Sequence, residues 1–227
     1  MDRVHKLLSN YGYCSRRKAE ELIKQGKVTV NGKKITIGDK AKETDEIRVD
    51  GELVEKDKRR YLKFNKPLGC VTSLNDKHEK TIMEYIDVKQ RVYPVGRLDK
   101  DTSGLLILTN DGDFANKIMH PRYETDKTYL VTLNKPINEK IIEKIESGVV
   151  LSDGKTSACE INRKTANVLK ITIHEGKNRI VRRIFEKFGF TVVTLKRTEI
   201  GKLRLGDLKP GEYRELTKKE RELIFSS

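Results

Sequence analysis

The stretch GRLDKDTSGLLILTNDG (residues 96–112) runs from a turn rich in aspartate into an apolar strand-like segment and then into a second polar turn. Several chemistries compete for it. As a calcium loop, Asp99, Asp101, Ser103 and Gly104 fit positions one, three, five and six of an EF-hand, but Asn110 stands where the bidentate Glu belongs. A nucleotide cradle needs the Lys and Ser/Thr of a P-loop, which are missing. A two-metal nuclease needs a second acidic cluster; Asp111 and Asp113 could supply one, although NDGD reads more simply as a turn and a helix cap. The aspartates could also do no more than satisfy local backbone amides in Asx turns. Finally, the stretch could seat one catalytic carboxylate.

Composition narrows the classes. The chain has 227 residues, 36% apolar and 36% charged, with a formal net charge of +14. That length fits one ordinary domain and a small one. No apolar run reaches the eighteen or so residues of a membrane span, and MDRVHKLLSNYG lacks the apolar core of a signal peptide, so a cytoplasmic protein is expected. Cys14, Cys70 and Cys159 suit neither a disulfide framework nor a zinc knuckle, and His5, His78, His120 and His174 lack metal-ligand spacing. The positive charge points to a polyanionic partner, of which nucleic acid is the commonest.

The distribution of charge sharpens this. The first 34 residues hold nine Lys or Arg against three acids. Within them, Asp2 is placed to cap a first helix with Val4, Leu7, Leu8 and Tyr11 on its inner face. Ser15 is placed to cap a second, with Ala19, Leu22 and Ile23 inward and Gly26 at its end. Asn31-Gly32 then signals a tight hairpin after Val28 and Val30. Arg16, Arg17 and Lys18 fall in the first turn of the second helix, where the helix dipole disfavours cations. Phosphate contact is the expected gain.

The charged joint VEKDKRR (residues 54–60) marks a boundary, giving units over 1–55 and 60–227. Beyond it, YLKFNKPLG, LLILTND, KTYLVTL, VLKITIHEG, VVTLKR and GKLRLGDL read as strands. DFANKIM (with Asp113 as its cap), INEKIIEKIESG and NRIVRRIFEKFG (with Asn178 as its cap) read as helices. Strands outnumber helices and connect irregularly, so the fold class is α+β.

A second basic segment, Arg163 to Arg204, carries twelve Lys or Arg and three acids. On its helix, Ile180, Val181, Ile184, Phe185 and Phe188 share an apolar face. Arg179 and Arg183 lie opposite and, like Lys177, are expected to grip phosphate. Arg182 sits at the boundary, placed for partial burial against a carboxylate that it would hold ionised.

Taken together, these blocks resemble a known family. GRLDKDTSGLL is similar to the signature of pseudouridine synthases. NKPLG, KTY, EGKNRIVRRIF and LKRTEIGKLRLGDLKPGEYREL look like the flanking blocks of the RsuA/RluB-type ribosomal RNA enzymes, nearest the large-subunit branch. SRRKAEELIKQGKVTVNG resembles the S4-like alpha-L RNA-binding module. The resemblance implies a mixed, mainly antiparallel catalytic sheet and isomerisation of uridine by base flipping, with neither cofactor nor metal. It implies Asp99 as the catalytic carboxylate, Arg97 filling the gap left by the extruded base, Tyr129 against the uracil, and Arg182 paired with Asp99. The expected partner is structured ribosomal RNA, free or in a pre-ribosomal particle, bound by a monomer. The competing expectations are a non-catalytic RNA-binding assembly factor, or the same activity on small-subunit ribosomal RNA.

Overall fold

Glycine-rich turns and side-chain caps fix most of the local structure. The computed structural model describes residues 1–226. By its internal contacts the chain forms two compact units. The first comprises Met1–Tyr61, Val88–Tyr93 and Thr109–Phe114, so it is not one continuous stretch, and the second takes up the rest of the described chain.

In the first unit, the Ser15 hydroxyl accepts the Lys18 amide at 3.2 Å and opens helix Arg16–Lys24. The earlier helix, Val4–Asn10, has no side-chain cap. Asp2, the expected cap, lies in a two-residue strand paired with Lys40–Ala41, and its carboxylate accepts from Lys6 instead. Asn31 and Gly32 both adopt positive φ, 50° and 78°, as a two-residue hairpin between right-twisted strands requires. The hairpin strands Val28–Val30 and Lys33–Lys34 join Ile47–Val49 and Glu52–Leu53 in a four-stranded sheet. Its core is Val4, Leu7, Leu8, Leu22, Ile23, Val28, Ile47 and Val49, all buried.

Asp111 is buried in the same unit. Its carboxylate accepts from Tyr61 Oη at 2.7 Å, Arg59 at 2.8 Å and the amides of Asp113 and Phe114 at 3.1 Å each. Asp111 therefore caps helix Gly112–Met119. Asp113, expected in that role, lies inside the helix and pairs with Lys6 at 2.9 Å.

The second unit is built on a nine-stranded sheet. Its main path runs Glu160–Arg163, Val168–Ile173, Lys127–Leu133, Val192–Ile200, Ser103–Thr109, Tyr61–Lys66 and Tyr213–Glu215. Most of its pairings are antiparallel. Val192–Ile200 and Ser103–Thr109 pair in parallel, with Arg197 opposite Gly104. Gly104 has φ of 107°, and a Cβ there would lie 2.2 Å from the Arg197 carbonyl oxygen. Only glycine permits this approach, and it sets the loop before Ser103 beside the strand that carries Arg197. Helices Glu139–Glu146 and Ile180–Glu186 accompany the sheet. The second begins at Arg179, in left-handed conformation and without a side-chain cap, so Asn178 does not have the capping role expected of it.

Helix Lys218–Leu223 opens on a capping box between Thr217 and Glu220. The Glu220 carboxylate also accepts from Arg214 at 2.6 and 2.7 Å and from the buried Lys63 at 3.3 Å. The Arg214 hydrogen bonds outweigh burial, and with the Thr217 amide and Lys63 they lower the Glu220 pKa to about 2. A carboxylate depressed on folding stabilises the protein above its unfolded pKa, and that stabilisation is lost as pH falls through the folded value. Glu220→Gln is expected to cost roughly 2–3 kcal/mol at neutral pH. Denaturant midpoints of the two proteins should converge between about pH 4 and pH 2; a gap independent of pH would contradict this.

Candidate active site

Loop residues 96–102 are held by the segment 66–72. Lys66, 0% exposed, donates its ammonium to the carbonyl oxygens of Pro67, Asp99 and Thr102 at 3.2, 3.0 and 2.9 Å. Burial pulls its pKa down. Three carbonyl dipoles solvate it in place of a carboxylate. The Thr72 hydroxyl donates to the Leu98 carbonyl at 2.6 Å and accepts the Leu98 amide at 3.1 Å. The Gly69 amide donates to the Lys100 carbonyl at 2.9 Å, and the Thr102 amide closes the turn on the Asp99 carbonyl at 3.0 Å. The backbone on both sides of Asp99 is thereby fixed, while its carboxylate, 33% exposed, is left to the cleft.

The cleft has a volume of about 410 Å³. One face of the sheet supplies Lys127 and Tyr129 from one strand and Leu195, Arg197 and Ile200 from the next. Tyr129 and Arg197 are register partners. Arg97, exposed, and Lys177 and Arg179 from the turn before helix Ile180–Glu186 also line it. Asp99, Tyr129, Arg97, Lys177 and Arg179 thus converge on one cavity.

Arg182 and Arg183 do not line it. Arg182 is 6% exposed and donates to the carbonyl oxygens of Val192 and Asp101 at 2.9 and 2.8 Å, and it meets the Asp101 carboxylate at 3.1 Å. The expected Arg182–Asp99 pair is therefore not made. The cation nearest Asp99 is Arg179, 3.8 Å from its carboxylate and 3.4 Å from that of Asp101. The cause is local: the left-handed backbone at Arg179 starts the helix late, with Arg182 on its buried side beneath Asp101. Arg183 pairs with Asp153 and donates to the Asn178 carbonyl, and Lys177 pairs with Glu175 at 2.8 Å. In the first unit, Arg16, Arg17 and Lys18 are exposed at the start of their helix, with Lys18 3.2 Å from Glu21.

Sequence reasoning assigned no role to Lys66, Lys127 or Arg197. Arg197 is 3% exposed. Its Nε donates to the Leu105 carbonyl at 2.7 Å, and its Nη2 is buried without a hydrogen-bond partner among the described residues. Lys127 donates to the carbonyls of Thr125 and His174 at 2.7 and 3.1 Å. Burial first, and Arg197 second, bring its pKa down to about 8. The available signal was phase: a cation at an inward position of an alternating strand is costly unless it is used.

Residues 60–187 match the RNA pseudouridylate synthase family, and residues 2–47 match the S4 domain. The chain is 45% identical, over 97% of its length and 94% of the relative's, to ribosomal large subunit pseudouridine synthase B of Bacillus subtilis. It is 41% identical to the dual-specificity RNA pseudouridine synthase RluF of Escherichia coli, over 96% of this chain and 76% of that one. A crystal structure of a pseudouridylate synthase superposes with a TM-score of 0.74 at 33% identity, covering 99% of this chain and all of the other.

Removing the ammonium that fixes the loop tests its role. Lys66→Met leaves three carbonyls without their donor and is expected to lower unfolding free energy by roughly 2 kcal/mol. It should also accelerate amide exchange at Thr102, read by hydrogen exchange; wild-type protection at that amide would count against the account.

Proposed function

The chain belongs to the RNA pseudouridylate synthase family, and on that premise we propose that it isomerises specific uridines of large-subunit ribosomal RNA, with Asp99 as the reacting carboxylate. The observation that carries this is a carboxylate, Asp99, on a backbone pinned from both sides, opening into a cleft floored by Tyr129. The ribosomal substrate is supported by the 45% identity to an enzyme named for the large subunit.

Uridine and pseudouridine are isomers, so their interconversion exchanges no group with a cofactor. What it needs is access to the sugar carbon C1′ and room to turn the base. Neither exists in a stacked helix, so the nucleotide is flipped into the cleft at a cost of a few kcal/mol. Arg97, exposed at the cleft, fills the gap that the base leaves. Tyr129 lies against the extruded ring, and stacking on an aromatic side chain offsets part of the cost. Asp99 acts on the ribose or on the uracil ring, as nucleophile or as base. Arg179, rather than Arg182, is the cation that meets this carboxylate, at 3.8 Å. Arg182 serves one step removed, by fixing Asp101.

Residues 1–55 act as an RNA anchor and residues 60–227 as the catalytic domain, working as a cytoplasmic monomer on free RNA or on an assembling particle. Arg16, Arg17 and Lys18 reach phosphates through the exposed start of their helix, and Lys177 and Arg183 extend the basic surface of the catalytic domain.

Asp99→Asn is expected to bind an rRNA fragment with wild-type affinity and to form no pseudouridine; full retained isomerisation would remove Asp99 from its role. Wild-type activity should be indifferent to a chelator. Replacing Arg16, Arg17 and Lys18 together by Ala should weaken RNA binding and reduce the slope of log K against log salt by about 2–3. An unchanged slope would show that the anchor lies elsewhere.

A further inference from the structure

The cleft floor holds two cations that the reaction as described leaves unused. Lys127 and Arg197 sit on adjacent strands, on the face that carries Tyr129. No salt bridge joins either to a carboxylate among the described residues; their hydrogen bonds go to the carbonyls of Thr125, His174 and Leu105. Arg197 Nη2 is buried without a hydrogen-bond partner among the described residues. Both cations line the cleft without a paired carboxylate to compensate them, and a charge held away from water is costly unless it is used, so a negative charge entering the cleft is the natural complement.

We propose that Lys127 and Arg197 form a cationic pair that takes the negative charge of the uracil ring once it is detached from the sugar. This rests on the reading of Asp99 and the cleft given above and adds to it. When the C1′–N1 bond breaks, its electron pair stays on N1 and spreads to O2 and O4. The sugar is completed by a bond from C1′ to an Asp99 oxygen or by loss of its C2′ proton to Asp99. The ring then turns, C5 forms a bond to C1′ with the same electron pair, and Asp99 is released or returns the proton. C5 then loses its proton and N1 gains one. The turn that brings C5 to the place of N1 also exchanges O2 with O4. Two donors set for the two carbonyl oxygens therefore serve the ring before and after it turns, and hold it while it belongs to neither sugar bond. Fixed donors aimed at charge that develops during a reaction lower its barrier without reorganisation.

The pair is also a pH-sensitive element. Lys127 has its pKa lowered to about 8 by burial and by Arg197, with Asp126 opposing. The other ionisable groups around it are His174, whose carbonyl it meets, and Asp99, Glu175, Lys177 and Arg179 along the cleft. A cation whose pKa is lowered is lost as pH rises through that value, so the chemical step should slow in the alkaline range.

Single-turnover release of tritium from an rRNA fragment labelled at uridine C5 reads that step, and filter binding reads affinity separately. Lys127→Met and Arg197→Met are each expected to slow release about 100-fold or more, the scale of losing one such donor, with Kd unchanged. The wild-type rate should fall between pH 7 and pH 9, while Lys127→Arg, which stays charged, should remain flat. Methionine variants within threefold of wild type would overturn the pair. So would superimposable pH profiles for wild type and Lys127→Arg. Should the methionine variants not fold, a wild-type rate constant from pH 7 to pH 9 would overturn it alone. Asp99→Asn run in parallel separates this failure from failure of the Asp99 reading: an inactive Asp99 variant beside fast Lys127 and Arg197 variants overturns only the pair.

Discussion

The buried ammonium of Lys66 is the constraint on which the site depends. A lysine is rarely sealed from water without an acid beside it, because its charge has to be solvated by something. Here the solvating shell is the main chain of the very turn that presents Asp99. An acid at that position would have neutralised the lysine but freed the turn. Carbonyls do both jobs at once: they keep the cation tolerable in the interior and they fix the peptide planes on either side of Asp99. The Asp99 side chain is left only its own rotamers to sample.

The cations around Asp99 divide the remaining work by depth. Arg182 is sunk beneath the loop and spends its hydrogen bonds on Asp101 and Val192, so its role is to hold the backbone in place. Arg179 stands at the surface, 3.8 Å from the Asp99 carboxylate and exposed enough to meet RNA. Lys127 and Arg197 lie on the floor, facing the space where a base would sit. An arrangement of this kind lines one cleft with cations at the rim and on the floor, around a carboxylate that meets only one of them directly.

Much of this was legible in the chain. Alternation marked strands in KTYLVTL and VLKITIHEG, and VVTLKR was read as a strand; the strands run over 127–133, 168–173 and 192–200. The Asn-Gly pair and Ser15 marked the hairpin and the second helix, because those signals act within a few residues. The Glu160–Arg163 and Tyr213–Glu215 strands were not anticipated; they lie at the edges of the path, are short, and show mostly polar exposed residues. Three expected caps were displaced: Asp2 is drawn into a short strand, Arg179 stands where Asn178 was expected, and Asp111 rather than Asp113 reaches its helix amides, held in place by Tyr61 and Arg59. Asp99, Arg97 and Tyr129 were visible in the family motifs. The partner of Asp99 was not, since helical spacing alone does not tell which arginine of the 179–183 segment reaches it, and the left-handed backbone at Arg179 leaves no sequence signal.

The order of strands has a consequence for synthesis. Arg214, near one end of the chain, is the register partner of Lys63, and the floor of the cleft draws on residues as distant as 97 and 200. Closing so long a loop precedes the contacts that reward it, which makes such sheets slow to form. A nascent chain can fold its helix and hairpin unit early, but the cleft has no complete floor until the strand Val192–Ile200 has emerged and paired with Lys127–Leu133.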